Sequence, residues 1–292
     1  MTKNIARALL ATAAVSLAVG TAFASHSWSI YHWKKVGGEL AVPVGDNVST
    51  KWDAYLQQAM NGGPRVGAGG NGEGWNASSV IQGSIVTGTT NPKNCKAVSG
   101  TIQVCNSRYG FTGWLGIAQI WLADGHIIQG ITKLNDNYFD TATYNKPEWR
   151  RLVTCQEIGH DYGLGHTDET FDNSNDGTCM DYTNAPAGGF VGTKDYGPSN
   201  EYINQHDKDQ LAAIYNHTEL ASATNFGIRE VGKAPPQSGF RDNGIGGDTP
   251  ASWGVAVGRD GQGRPDVYVA DLGNGQKRIT HVFWAIGEGP RN

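Results

Sequence analysis

The sequence predicts an α+β fold in which a twisted mixed sheet carries a central helix and a C-terminal helix, with a small antiparallel β unit appended at the end. Three observations lead to this prediction. Two β-rich runs flank Asp124-Gly125, a strong hairpin signal. Residues 147–163 and 205–217 have apolar side chains at helical spacing, and the tail from 251 alternates short β-rich runs with glycine turns.

The chain begins with the features of a secretory signal peptide over residues 1–24. Lys3 and Arg7 flank the start of an apolar run, and Ala22-Phe23-Ala24 forms a cleavage pattern. The run has about a dozen residues, whereas a membrane span needs about 20, so a membrane anchor is the weaker alternative. We therefore expect a secreted, extracellular protein that has no membrane association once the leader is removed.

Composition indicates an ordered protein that does not bind nucleic acid. The formal net charge is −4, which argues against a partner recognised through its phosphates. Charged residues make up only 17% of the chain, and nine Trp accompany 41 Gly, unlike a disordered chain. We expect a monomer that has a main domain over residues 25–219, a linker over 220–250 and a β extension over 251–292.

The remaining elements follow in chain order. Ser49 or Thr50 caps a predicted helix whose apolar side contains Trp52, Leu56 and Met60. The strands around Asp124-Gly125 follow. The helix that starts at Pro147 has apolar residues at steps of three and four and stops at Gly163.

Four cysteines in an exported chain suggest two disulfides. Three pairings are possible. The one that closes the shortest loops joins Cys95 to Cys105 and Cys155 to Cys179, and we prefer it. The second bond would tie the central helix to the residue before Met180, and it would add about 3 kcal/mol in the chain-entropy model.

The residues that suggest chemistry lie at the end of the central helix. Gln156 and His160 are one turn apart and therefore share a helix face, and Glu157 lies at the rim of that face. Gly163 lets the chain turn abruptly, so that His166 can return to the same point. Two imidazoles, one further ligand and a water make an open zinc site of the catalytic type.

This pattern resembles the metzincin metalloproteases, whose motif is HExxHxxGxxH followed by a methionine turn. The match includes Glu157, His160, Gly163, His166 and Met180. As a whole, the chain resembles a group of secreted bacterial matrixin-like proteins that have a QExxH variant and a similar tail. The resemblance implies a metzincin-like fold, one catalytic Zn²⁺ and hydrolysis of a peptide or protein substrate in a cleft between a sheet-bearing N-terminal part and an irregular C-terminal part.

The departure from that motif is Gln156, which stands where the family has its first zinc histidine. An amide oxygen is a neutral and weaker ligand for zinc than an imidazole. Three interpretations remain open: Gln156 is the third ligand, it binds the water on the metal, or it marks lost activity. His32, His126, His206 and His217 are alternative ligands, each weakly supported by sequence.

The resemblance also implies residue roles. Glu157 would accept the proton of a metal-activated water as general base, and Tyr182 would donate a hydrogen bond to the oxyanion. Met180 would pack beneath the metal. By family analogy, the strand at 116–121 or at 126–135 would bind an extended peptide along the sheet edge; the alternative is an ordinary sheet strand.

Two further hypotheses come from other parts of the chain. Residues 172–177 begin like a Ca²⁺-binding EF-hand loop, but Thr183 stands at the twelfth position, so an Asx-rich turn is the stronger reading. The tail from about 234 could itself recognise a surface target. The main alternative to a protease is a secreted binding protein that keeps this fold and has weak or no activity because of Gln156.

Overall fold

The computed structural model describes residues 31–35, 37–66, 69–216 and 244–290. The signal peptide, His217 and most of the expected linker lie outside these residues. The helices are α1 Thr50–Asn61, α2 Asp136–Phe139, α3 Pro147–Asp161, α4 Gln205–Tyr215 and α5 Pro250–Trp253. The strands are β1 His32–Trp33, β2 Val44–Asn47, β3 Gly63–Pro64, β4 Asn71–Gly72, β5 Ile85–Thr87, β6 Ile102–Ser107, β7 Trp114–Ala123, β8 His126–Asn135, β9 Phe190–Val191, β10 Lys194–Asp195, β11 Val255–Arg259, β12 Pro265–Gly273 and β13 Gln276–Trp284.

One mixed sheet forms the framework, in the order β11-β12-β13-β7-β8-β6-β2-β5, and β1 also pairs with β8. The strands β8, β6, β2 and β5 are parallel, whereas β11 to β8 pair antiparallel. Asp124 and Gly125 join β7 to β8 with φ values of 50° and 80°, as a type I′ turn requires. The predicted hairpin is therefore confirmed, and so is the combination of helices with a mixed sheet.

The helix α3 lies against β7 and β8, and α1 packs on α3. Pro147 begins α3, which suits a residue that lacks an N–H, and Glu148 supplies a negative charge near the helix N-terminus. Every residue of α3 from Trp149 onward is buried. The helix is therefore enclosed on all sides, which fixes its side chains precisely.

The tail, for which the sequence predicts a small antiparallel β unit, contributes strands β11 to β13 to the main sheet. Its antiparallel strands are present, but β13 pairs with β7 from Lys277↔Leu122 to Trp284↔Trp114 and so extends the main sheet. On the outer face, Trp253, Tyr268 and Trp284 belong to one buried cluster with Trp114. Apolar burial on this scale makes the tail part of the core.

The same pairing corrects the proposed peptide-binding edge. Strand β7 is covered by β13 on one side and β8 on the other, and β8 pairs with β6. Neither strand is an edge in this structure, so the alternative of an ordinary sheet strand holds for both.

The preferred disulfide pairing is confirmed: Cys95 bonds Cys105, and Cys155 bonds Cys179. The second bond ties α3 to the loop that contains Met180, as expected. Within the described ranges, no helix is long and apolar enough to cross a membrane.

Candidate functional site

The end of α3 determines where the site residues lie. The amide of Gly163 donates to the carbonyl of His160, and the amide of Leu164 donates to that of Gly159, which is a Schellman motif. Gly163 has a φ of 93°, a left-handed conformation that favours glycine. The predicted helix stop is therefore confirmed, and the chain turns back toward α3 before His166.

Three imidazoles meet beyond this turn. His160 comes from α3, His166 from the following loop and His281 from β13, and their ligand nitrogens lie within 4.8 Å of one another. The rings of His160 and His281 stack at 4.0 Å, and those of His160 and His166 meet edge to face at 4.7 Å. Three neutral imidazoles are ligands that suit Zn²⁺.

Hydrogen bonding orients the first of these rings. Nδ1 of His160 lies 2.8 Å from the carbonyl oxygen of Leu164. A carbonyl can only accept, so the proton is on Nδ1 and the lone pair is on Nε2, the usual arrangement of a metal-binding histidine. Leu164 belongs to the Schellman turn, so the turn that ends the helix also positions the carbonyl that sets the tautomer of His160.

Two carboxylates lie on the outer side of His166. Its Nδ1 is 3.6 Å from Glu169 Oε1 and 3.7 Å from Asp266 Oδ2, and the three residues form a second group that could hold a metal. Burial, reinforced by the neighbouring Glu169 and Asp260, raises the pKa of Asp266 to about 8. Both carboxyl groups thus lie close to Nδ1 of His166, at distances slightly longer than a hydrogen bond.

Glu157 points from α3 into the sheet. A side chain on Gly116 of β7 would place its Cβ 2.6 Å from Glu157 Oε1, so the carboxyl group occupies space that only a glycine leaves. Burial and the nearby Asp161 raise the pKa of Glu157 well above its usual value, and the Ala118 amide only partly offsets this. A buried carboxyl of raised pKa is typical of a group that exchanges protons.

The loop after α3 runs beside the loop that contains Met180. The amide of Thr167 donates to the carbonyl of Met180, and the amide of Tyr182 donates to that of Asp168. A Cβ on Gly159 would lie 2.5 Å from the sulfur of Met180, so Met180 packs directly against the last turns of α3. Met180 is thus a packing residue under the helix that contains His160.

Tyr182 lies next to the imidazoles, but its hydroxyl is engaged elsewhere. Its ring centroid is 4.2 Å from that of His166. Its hydroxyl lies 3.3 Å from Asp266 Oδ2 and 3.2 Å from the carbonyl of Val282, both in the tail strands. Donation to a substrate oxyanion would require the hydroxyl to leave these acceptors.

Gln156 lies on α3 one turn before His160, as expected. Its Nε2 donates to the carbonyl of Cys179 at 2.8 Å, which fixes the amide plane. Its Oε1 is buried and has no hydrogen-bond partner among the described residues. An unpaired buried oxygen of this kind is costly, so Oε1 is a further candidate for contact with a metal or its water.

The site is enclosed rather than open to a cleft. The exposed fractions are 0% for Glu157, 1% for His160 and 2% for His281, and the His166 side chain is 2% exposed. Strand β13 provides part of this cover. The sequence-based expectation of a cleft is not met in this conformation.

Sequence reasoning missed His281 because no local motif includes it. A signal was present: His281 stands between Ile279 and Phe283, at the core-facing position of an alternating strand. Of the weaker histidine candidates, His32 and His126 pair with each other at 5.1 Å between ring centroids, on β1 and β8. His206 lies in the first turn of α4.

In the loop considered for Ca²⁺, the first carboxylate, Asp172, accepts hydrogen bonds from other residues. Asp172 Oδ1 accepts from Asn184 Nδ2 and from the Tyr196 hydroxyl, each at 3.0 Å. Within the described part of the chain, the two metal-compatible groups both contain His166 and lie outside this loop.

No protein-family model matches this chain, and no curated protein matches it significantly.

Proposed function

We propose that the protein is a secreted zinc-dependent endopeptidase of metzincin-like type, with Glu157 as general base. The observation that supports this most strongly is the convergence of His160, His166 and His281, with Glu157 buried on the helix that contains His160. Burial, followed by the charges of Asp266 and Glu157, raises the pKa of Tyr182, whose ring contacts His166. An acid–base candidate and the imidazoles therefore belong to the same buried region.

The residues fit a zinc ion, since imidazole nitrogens are standard zinc ligands and His160 has the tautomer that ligation requires. Zinc, when bound, supplies a Lewis acid that polarises a carbonyl and lowers the pKa of water. His160 and His166 would hold it. Leu164 would orient the first ring, and Asp266 and Glu169 the second.

Glu157 would then move the proton. A cation held by His160 and His166 favours the ionised form of Glu157, opposing the effect of burial on its pKa. The carboxylate would accept a proton from water and pass it to the leaving amine. Gly116 serves this role by leaving room for the carboxyl group against β7. A peptide reaches Glu157 only if the cover formed by the tail strands moves.

The test is cleavage of a mixed peptide library by the zinc-loaded full-length protein. Glu157→Gln should abolish cleavage while zinc stays bound, and a chelator should abolish it reversibly. Glu148→Gln, on the first turn of the same helix, is the matched control and should cleave normally. Cleavage that survives Glu157→Gln would refute the assignment.

A second candidate function is favoured by the burial of the site. A sealed group of imidazoles is typical of a metal that stabilises a fold, and the protein would then be a non-catalytic secreted binding protein. Bound zinc with no cleavage of any peptide in the library would favour this reading.

A further inference from the structure

The tail strand β13 places a third imidazole beside His160 and His166. The geometry points to a metal site made by His160, His166 and His281, in which His281 is the third protein ligand instead of Gln156. A bound ion would then connect β13 to α3. This inference rests on the metal-binding part of the proposed function and adds its ligand set.

The distances are compatible with one ion. The three ligand nitrogens lie within 4.8 Å of one another. Nitrogens about 2.0–2.1 Å from a tetrahedral ion are about 3.4 Å apart. The nitrogens would have to approach by about an ångström, and one of the stacked rings of His160 and His281 would have to rotate so that both lone pairs point at the ion. Both are side-chain changes.

The backbone holds His281 on the correct side of the sheet. Ile279 and Phe283 belong to the same core cluster as α3, whereas Val282 belongs to the cluster on the opposite face. His281 shares the face of Ile279 and Phe283, because alternate residues of a strand point the same way. On the neighbouring strand β7, His281 pairs with Ala118, a small residue that leaves space beneath α3.

Gln156 is constrained in a different way. Its amide nitrogen is bound to the carbonyl of Cys179, and Cys179 is covalently joined to Cys155, the neighbour of Gln156. The amide oxygen that remains is a weaker zinc donor than an imidazole nitrogen. With a third imidazole already within range, Gln156 is not needed to hold the ion.

The carboxylates around His166 complete the arrangement. Asp266 is in β12, the strand next to β13, and lies 3.7 Å from His166 Nδ1. The tail thus contributes one ligand, His281, and one residue that orients another ligand. Strands β12 and β13 therefore each contribute a residue to the proposed site.

The first experiment measures zinc affinity by chelator competition and records the visible absorption of the Co²⁺-substituted protein. His281→Ala should weaken zinc binding more than about 100-fold, since loss of even a group that only hydrogen-bonds a metal ligand costs about 10–100-fold. Gln156→Ala should cost less than about tenfold. Val282→Ala, the neighbour on the opposite face of β13, is the matched control and should bind normally.

The second experiment does not depend on the stability of His281→Ala. Amide hydrogen exchange in β13 should slow when zinc is added to the wild-type protein. In His160→Ala, which leaves β13 intact, zinc should have no such effect. Three results would each overturn the inference. One is wild-type zinc affinity in His281→Ala, and another is a larger loss of zinc affinity in Gln156→Ala than in His281→Ala. The third is amide exchange in wild-type β13 that does not change when zinc is added.

The two proposals fail separately. Zinc bound through His281 without peptide cleavage would refute the protease and leave this ligand set intact. Cleavage that is lost in Gln156→Ala and kept in His281→Ala would support the protease and refute this ligand set.

Discussion

Replacing Gly116 by alanine should destabilise the protein by pressing α3 away from the sheet. The new Cβ would lie 2.6 Å from both Glu157 Oε1 and Val153 Cγ1, where real contacts are longer than 3.0 Å. Both side chains are fully buried, so neither can move freely. Overpacking of this kind costs about 1–3 kcal/mol. Replacing a glycine with alanine also lowers the conformational entropy of the unfolded chain, which stabilises the protein by about 0.4–1 kcal/mol.

Because the new Cβ overlaps two buried atoms at once, the cost of overpacking falls in the upper half of its range, about 2–3 kcal/mol. The net loss is therefore about 1–2.6 kcal/mol, or about 2–10 °C in Tm for a chain of this size. Differential scanning calorimetry of Gly116→Ala measures it. Gly38→Ala is the matched control, because a Cβ there meets nothing within 4 Å and no positive φ is involved. A Tm for Gly116→Ala equal to that of Gly38→Ala would refute the close seating of Glu157 on β7.

Three further predictions concern the stability of the folded chain. Joint replacement of Cys155 and Cys179 by alanine should cost about 3 kcal/mol in urea unfolding, because the bond closes a loop with a sequence separation of 24 and so restricts the unfolded chain; no loss would contradict this entropic account of the bond. Burial raises the pKa of Asp181 to about 7, so the folded state keeps a proton that the unfolded chain loses near pH 4. The free energy of unfolding should thus fall as the pH rises from about 4 to about 7, and Asp181→Asn should reduce that fall. An unchanged pH profile in Asp181→Asn would contradict the raised pKa of Asp181. Removing zinc with a chelator should lower Tm. If the free zinc concentration before removal is 1,000 times Kd, the stability lost is about 4 kcal/mol. An unchanged Tm would exclude a tight zinc site.

Local patterns in the sequence predict much of the helical part of the site. Pro147, the apolar spacing after it and Gly163 define α3, and the structure has a helix there followed by a Schellman turn. The Asp124-Gly125 hairpin is equally local. These features depend on neighbouring residues, so backbone preferences are enough to identify them.

The tail could not be placed in the same way. Its strands β11–β13 are recognisable by alternation, but their pairing with β7 joins residues about 160 positions apart, such as His281 and Ala118. No short-range pattern specifies such a partner. The burial of the site follows from that pairing, and so does the presence of His281 next to His160.

X-ray absorption at the zinc edge of the zinc-loaded protein tests the central claim most directly. We predict one zinc per chain with three imidazole nitrogens at about 2.0–2.1 Å, a pattern that multiple scattering from histidine rings identifies. In His281→Ala the fitted imidazole count should fall to two. A wild-type spectrum with fewer than three imidazoles, or a protein that holds no zinc, would contradict the account.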